Sequence, residues 1–176
     1  MRRLRYSVAM SLDGFIAGPK GEFDWIVPDP DIDFAALWAQ FDIFLMGRKT
    51  YEVARARLHD RGGSSHRWVV VSRTLEAAPD DGITVLTSGI EEAVAAMKAQ
   101  SGKDIWLFGG GVLFRSLLDA GLVDTVEAAV IPVLLGSGIP LLPEGRRRTL
   151  HLETSKALPS GTLMLTYAVV PEPKAD

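Results

Sequence analysis

Apolar and polar residues follow two rhythms along this chain. Residues 5–10, 43–46, 68–71, Ile83–Leu86 and 105–108 are short runs that are wholly or largely apolar. Runs of this length, bounded by glycine or polar turns, predict strands buried on both faces. Between them the apolar residues recur every third or fourth position. Phe34, Leu37, Trp38 and Phe41 form one such stripe, with Asp29 and Pro30 in the places of an N-cap and a first helical residue. Residues 49–58 predict a second helix. Ser88 and Glu91 have capping-box spacing at the head of a third, which carries Ile90, Ala93, Val94 and Met97. Phe114, Leu117 and Leu118 continue a fourth, and Gly121 fits the position just past its end.

After Thr125 the rhythm changes. Residues 126–131 and 163–170 read as strands, Leu150–Ala157 as a weaker one, and the turns between them are rich in glycine and proline. The first two-thirds therefore predict an α/β fold, a mainly parallel sheet with helices on both faces. The last third predicts antiparallel strands added at one edge. One domain is expected over residues 1–170, with residues 171–176 as a frayed tail.

Composition narrows the functions. At 176 residues the chain is long enough to build a core without a disulfide or a structural metal. It has no cysteine, which excludes a thiol nucleophile, a zinc ribbon, an iron–sulfur cluster and a redox disulfide, and suits the cytoplasm. The basic start is followed by no apolar signal region, and no run approaches the length of a membrane helix, so neither a leader nor a membrane span is expected. The net charge of −3 argues against nucleic acid as a partner. That average hides a bias. Residues 46–75 carry Arg48, Lys49, Arg55, Arg57, Arg61, Arg67 and Arg73 against Glu52 and Asp60. A local excess of this kind suits one small polyanion.

Three segments put anion-binding chemistry where strands hand over to helices. Gly109, Gly110 and Gly111 follow an apolar strand; such glycines admit a diphosphate to backbone N–H groups, or simply allow a tight turn. Gly47, Arg48, Lys49 and Thr50 place cations and a hydroxyl at a helix start, where the helix dipole disfavours cations unless an anion lies between them. Ser72 and Arg73 end a third strand and suit a phosphate monoester. Ligands of open α/β sheets bind at the carboxyl ends of their strands.

Among the carboxylates, Asp29, Asp31 and Asp33 have the first spacings of a calcium loop. Phe34 and Gln40 stand where that loop needs glycine and glutamate, so calcium is rejected. Asp33 lies at the edge of the apolar stripe, where half-burial would raise its pKa into proton-transfer range; an exposed first-turn carboxylate is the alternative. Asp24 and Trp25 are a second candidate pair. His59, His66 and His151 share no metal spacing, and no metal is expected. Arg146, Arg147 and Arg148 read as a solvated turn.

Taken in order, residues 9–18, Asp24-Trp25, residues 46–52, Val71-Ser72-Arg73, residues 107–111 and residues 131–136 resemble the dihydrofolate reductase superfamily. The nearest likeness is its branch containing the reductase domain of bacterial riboflavin biosynthesis, of which this chain looks like a stand-alone member. The resemblance implies a dihydrofolate-reductase-like three-layer fold, a mixed sheet of eight or nine strands, NADPH as hydride donor and often a homodimer. It implies that Gly47, Arg48, Lys49 and Thr50 hold phosphates and that Ser72 and Arg73 meet the adenosine 2′-phosphate. Gly109, Gly110, Gly111, Val112 and Leu113 would take the diphosphate, with a cis peptide between paired glycines. Ala9, Ile16 and Ala17 would border the nicotinamide, with Phe108 behind it. Asp13 would lie near the reacting centre, and Asp31 or Asp33 near the place of the acidic residue that meets a pterin ring.

The expected function is therefore reduction of a small heterocyclic substrate, a ribosylamino-pyrimidine or a dihydropterin. Asp13 and Asp33 are the candidate catalytic acids, and Asp24, Trp25 and Asp31 the candidate substrate contacts. A dinucleotide-binding module without turnover and a true dihydrofolate reductase are the alternatives. The deaminase half that often precedes this reductase is not expected here, since no cysteine or zinc motif is present in the sequence.

Overall fold

A computed structural model describes residues 1–59, 66–75 and 82–172. An eight-stranded sheet runs through it in the order β5-β4-β3-β6-β1-β7-β10-β9. The strands are β1 (Leu4–Ser11), β3 (Phe41–Gly47), β4 (Arg67–Val71), β5 (Ile83–Leu86), β6 (Asp104–Gly109), β7 (Thr125–Ile131), β9 (Leu150–Ala157) and β10 (Leu163–Val169). All neighbours from β5 to β7 pair in parallel, whereas β10 is antiparallel to both β7 and β9. The expected antiparallel addition is thus two strands; β7, grouped with them by its position after Thr125, pairs in parallel with β1. Two short strands, β2 (Phe15–Ala17) and β8 (Ile139–Pro140), form a separate ribbon that the apolar pattern is too brief to announce.

Side chains alternate cleanly across the sheet. Ile43 and Leu45 of β3 and Ile105 and Leu107 of β6 join a core with Val94 and Met97 of α3 (Ile90–Ala99) and Phe114 and Leu117 of α4 (Gly111–Asp119). Phe44, Met46 and Trp106 face the other way, packing with Tyr51 of α2 (Arg48–His59) and Leu37 and Trp38 of α1 (Phe34–Trp38). Three layers result, as expected. On the α1–α2 side the helices stop short: Ser7, Ala9, Glu127, Ala129 and Ile131 are only half-buried, while Val126, Ala128 and Val130 on the α3–α4 side are buried.

Three expected helix ends differ. α1 is five residues long and is capped by Asp33, whose carboxylate accepts from Ala36 N at 2.9 Å; Asp29 caps nothing. Phe41 is buried on the face the stripe indicated, but as the first residue of β3 beneath α1, with its ring 4.9 Å from that of Trp106. α3 starts from Gly89 in a left-handed conformation without a side-chain cap, so Ser88 and Glu91 form no capping box. Gly121, by contrast, ends α4 as anticipated. With φ at +69° its N–H reaches Leu118 O at 3.1 Å, and Leu122 N reaches Leu117 O at 3.0 Å, the two bonds of a Schellman end. Asp60 and Arg61 of the basic segment and residues 173–176 of the expected tail lie outside the described residues.

Candidate active site

Parallel pairing brings the carboxyl ends of β1, β3, β4, β6 and β7 to one edge. Gly47 aligns with Val71, Met46 with Gly109, and Ser11 with Ile131. Two helices start there, α2 at Arg48 and α4 at Gly111. α4 has no side-chain cap, so the first N–H groups of residues 111–113 are open to an anion. Val112 lies 77% exposed at that turn, whereas the Leu113 side chain belongs to the core and only its backbone can serve a ligand.

The glycines divide by what surrounds them. A β-carbon on Gly47 would stand 3.9 Å from Gly110 N, and one on Gly110 would stand 3.4 Å from Thr50 Oγ1. Gly47, Thr50 and Gly110 therefore face one another across the gap between the two helix starts. Gly111 is different. Its missing β-carbon points 3.2 Å from Pro140 O and 3.3 Å from Leu141 O, so it is glycine for close packing against the end of β8 and the residues that follow it. The Gly109–Gly110 peptide is cis.

The cations ring this edge. Arg48 makes an exposed ion pair with Glu52 at 2.6 Å, and Lys49 is exposed. Ser72 is buried; its Oγ accepts from Thr74 N at 3.1 Å and Leu75 N at 2.9 Å, which fixes the turn that presents exposed Arg73. Phe108 stands in the aromatic cluster, its ring 5.1 Å from that of Trp106. Ala9, Ile16 and Ala17 are half-buried on β1 and β2.

The acidic candidates are not brought together by any hydrogen bond. Asp13 accepts from Ser11 Oγ at 2.6 Å and from the amides of Gly136 at 2.7 Å and Leu135 at 3.1 Å. The Ser11 hydroxyl foremost, then the Gly136 and Leu135 amides, hold its carboxyl below the usual carboxylate range despite some desolvation. At neutral pH this group is an anion that ties the β1–β2 turn to the loop after β7. Asp33 is exposed at its cap, not half-buried as the stripe suggested. Asp24 and Asp31 are exposed, and Trp25 donates Nε1–H to Glu22 O at 3.2 Å.

Two features escaped the sequence reading. Asp29 is 7% exposed; it accepts from Asp31 N at 2.9 Å and from the Ser160 hydroxyl. It thereby fastens the loop before α1 to the turn between β9 and β10. The half-buried floor is the second, where Ala129 lies beside Ala9 on one side and Met164 on the other. Its signal was present in Ser7, Ala9 and Ala129, small residues at alternate positions of otherwise bulky strands.

A three-layer sheet in this order, with helix starts converging on one edge, is a dihydrofolate-reductase-like fold. Dihydrofolate reductase from Enterococcus faecalis, solved in complex with NADP(H) and RAB-propyl, superposes with a TM-score of 0.68 over 95% of this chain and 96% of its own, at 20% identity. A Shewanella sp. PV-4 protein provisionally assigned to riboflavin biosynthesis superposes with a TM-score of 0.83, covering 97% of this chain and all of the other at 27% identity. The Bacillus subtilis protein YyaP, itself uncharacterized, is 33% identical over 178 residues, 94% of each chain. The model of the RibD C-terminal domain matches residues 2–164, and the chain belongs to that family. Among the described residues no helix is long and apolar enough to cross a membrane.

Proposed function

We propose that the protein is an NADPH-dependent reductase of a small heterocyclic substrate, of ribosylamino-pyrimidine or dihydropterin type. It would act in the manner of a 5-amino-6-(5-phosphoribosylamino)uracil reductase. The observation that carries this reading is the pair of helix starts facing across Gly47, Thr50 and Gly110, a gap that only small side chains leave open. Open N–H groups at residues 111–113 suit a diphosphate, and Arg73 and Lys49, exposed beside it, suit a further phosphate. NADPH supplies the hydride; the protein supplies position and charge.

Within this proposal Ala9, Ile16, Ala17 and Phe108 border the nicotinamide. The floor from Ser7 to Met164 receives the ring to be reduced, with Asp24, Trp25 and Asp31 on the loop above it. Asp13, held anionic, orients the β1–β2 turn. Asp33, whose carboxylate is exposed and bonded to one amide only, positions the water that passes the proton. The absence of cysteine suits a cytoplasmic location.

The test is NADPH binding by fluorescence and thermal shift, followed by a panel of ribosylamino-pyrimidines and dihydrofolate read by loss of nicotinamide absorbance. Absence of binding refutes the cofactor assignment. Binding without oxidation by any substrate leaves a dinucleotide-binding module.

We also propose a homodimer. All eight residues of β9 are exposed, and Leu150 and Leu152 share one face of the sheet with Leu163, Tyr167 and Val169. An exposed edge strand with an apolar face of this kind suits a partner. Leu152→Lys should shift the species seen by light scattering from dimer to monomer; a wild-type monomer would refute the assignment.

A further inference from the structure

A separate concavity lies on the α3–α4 side, away from the proposed cofactor edge. It is a cavity of about 340 Å³ between α4, the segment after β8 and the start of β9. Its floor is apolar, made by Phe114, Leu118, Val126 and Leu142. Its rim is four guanidinium groups, Arg115, Arg146, Arg147 and Arg148. The triplet read as a solvated turn therefore closes over a hydrophobic pocket.

Two of the arginines are built into the wall. Arg115 pairs with Asp119 at 2.9 Å and donates to Arg146 O at 2.8 Å. Gly145 passes against the same guanidinium, with no room for a β-carbon. Arg148 pairs with Glu172 at 2.5 Å and donates Nη2–H to Asp119 O at 3.1 Å. Its side chain is only 8% exposed, yet its Nε–H is buried without an acceptor. Arg146 and Arg147 are exposed and pair with no carboxylate among the described residues. The carboxylates at the cavity are Asp119, Glu144 and Glu172, with Glu91 in the adjoining hollow that Arg146 and Asp119 also line.

An apolar floor with a few convergent polar groups is the usual make-up of a small-ligand pocket, and this volume lies at the small end of the range. We propose that the cavity binds a small amphiphilic monoanion, a carboxylate on an aliphatic or aromatic body. The carboxylate meets the exposed guanidinium groups of Arg146 and Arg147, and the apolar body lies on Phe114, Leu118 and Val126. One negative charge suffices, because Asp119, Glu144 and Glu172 already stand against the four guanidinium groups. The inference stands apart from the reductase proposal, since none of these groups lies at the cofactor edge.

The test uses octanoate as probe on the full chain, with the methyl groups of Leu118, Val126 and Leu142 followed by NMR. Saturable shifts at these methyls are expected, unchanged when NADPH is present, with octanol at least about tenfold weaker. The exposed double change Arg146→Ala with Arg147→Ala should weaken octanoate about tenfold or more. Unmoved methyls, equal binding of octanol, or octanoate affinity indifferent to that double change would overturn the proposal. So would a dimer whose contact surface fills the cavity and blocks the shifts.

Discussion

Two glycines at the same edge should respond in opposite ways to one added methyl group. In Gly111→Ala the new carbon stands 3.2 Å from Pro140 O, 3.2 Å from Pro143 Cδ and 3.3 Å from Leu141 O. Two of these are backbone oxygens and the third belongs to a proline ring, so none can swing aside. Overpacking costs about 1–3 kcal/mol, partly offset because alanine favours a helix by up to about 1 kcal/mol over glycine. A net loss of about 1–2 kcal/mol lowers Tm by about 2–8 °C in a domain of this size. In Gly47→Ala the nearest atom is Gly110 N at 3.9 Å, an ordinary contact, so stability should stay within about 0.5 kcal/mol. That methyl nevertheless narrows the gap between the two helix starts proposed to hold the phosphates, and NADPH affinity should fall about tenfold or more. Differential scanning fluorimetry without ligand and a fluorescence titration with NADPH separate the two effects. A Gly47→Ala protein that binds NADPH as well as wild type would refute the phosphate placement. A Gly111→Ala protein as stable as wild type would refute the packing argument.

Three further outcomes follow from other contacts. Arg73→Ala should weaken NADPH about tenfold while leaving NADH nearly unchanged, because the exposed guanidinium is assigned to the extra phosphate; equal losses in parallel titrations would remove that assignment. Ser160→Ala deletes a hydrogen bond to a buried carboxylate, worth about 1.5–3 kcal/mol, and should lower Tm and change the fluorescence of Trp25 on the loop that Asp29 fastens; an unchanged Tm would show that the contact holds nothing. Asp13 has a folded-state pKa below its ordinary 3.8, so its contribution to stability is present above about pH 4 and is lost as pH falls through the folded value. Melting curves from about pH 6 down to about pH 3 should therefore fall more steeply for wild type than for Asp13→Asn, and parallel curves would contradict the proposed role.

Much of this architecture is legible without coordinates because the central strands are buried on both faces. Residues 43–46 and 105–108 must be apolar at every position, and a run of that kind between glycine and a helical stripe has few other readings. The separate ribbon is less legible. β2 and β8 are three and two residues long, too short for any period to register. Direction is also invisible: nothing in residues 125–131 distinguishes a parallel from an antiparallel neighbour, because pairing with β1 is decided by the crossover that delivers the chain there. Phe41 shows the same limit from another side. Its spacing from Phe34 correctly marked a shared face, but a face can be shared by a helix and the strand beneath it.

The carboxylates carry the sharper lesson. The sequence marked Asp13 and Asp33 as candidate acids and Asp24 and Asp31 as substrate contacts, and gave Asp29 only the place of a helix cap. What separates them is partners up to 131 residues away in the chain. Asp13 meets the amides of Leu135 and Gly136, and Asp29 meets the hydroxyl of Ser160. Each ties a loop near the strand ends to a distant turn, one through the segment after β7 and the other through the β9–β10 hairpin. A carboxylate that accepts three hydrogen bonds and titrates below its ordinary range cannot also be a reservoir of protons near neutrality. If the reductase proposal holds, these two aspartates shape the cleft by holding its walls. Within that proposal the proton comes from water positioned by Asp33, which accepts from a single amide and faces solvent. Asp33→Asn should accordingly lower kcat while leaving NADPH affinity unchanged, and full activity in that variant would remove Asp33 from the proton path.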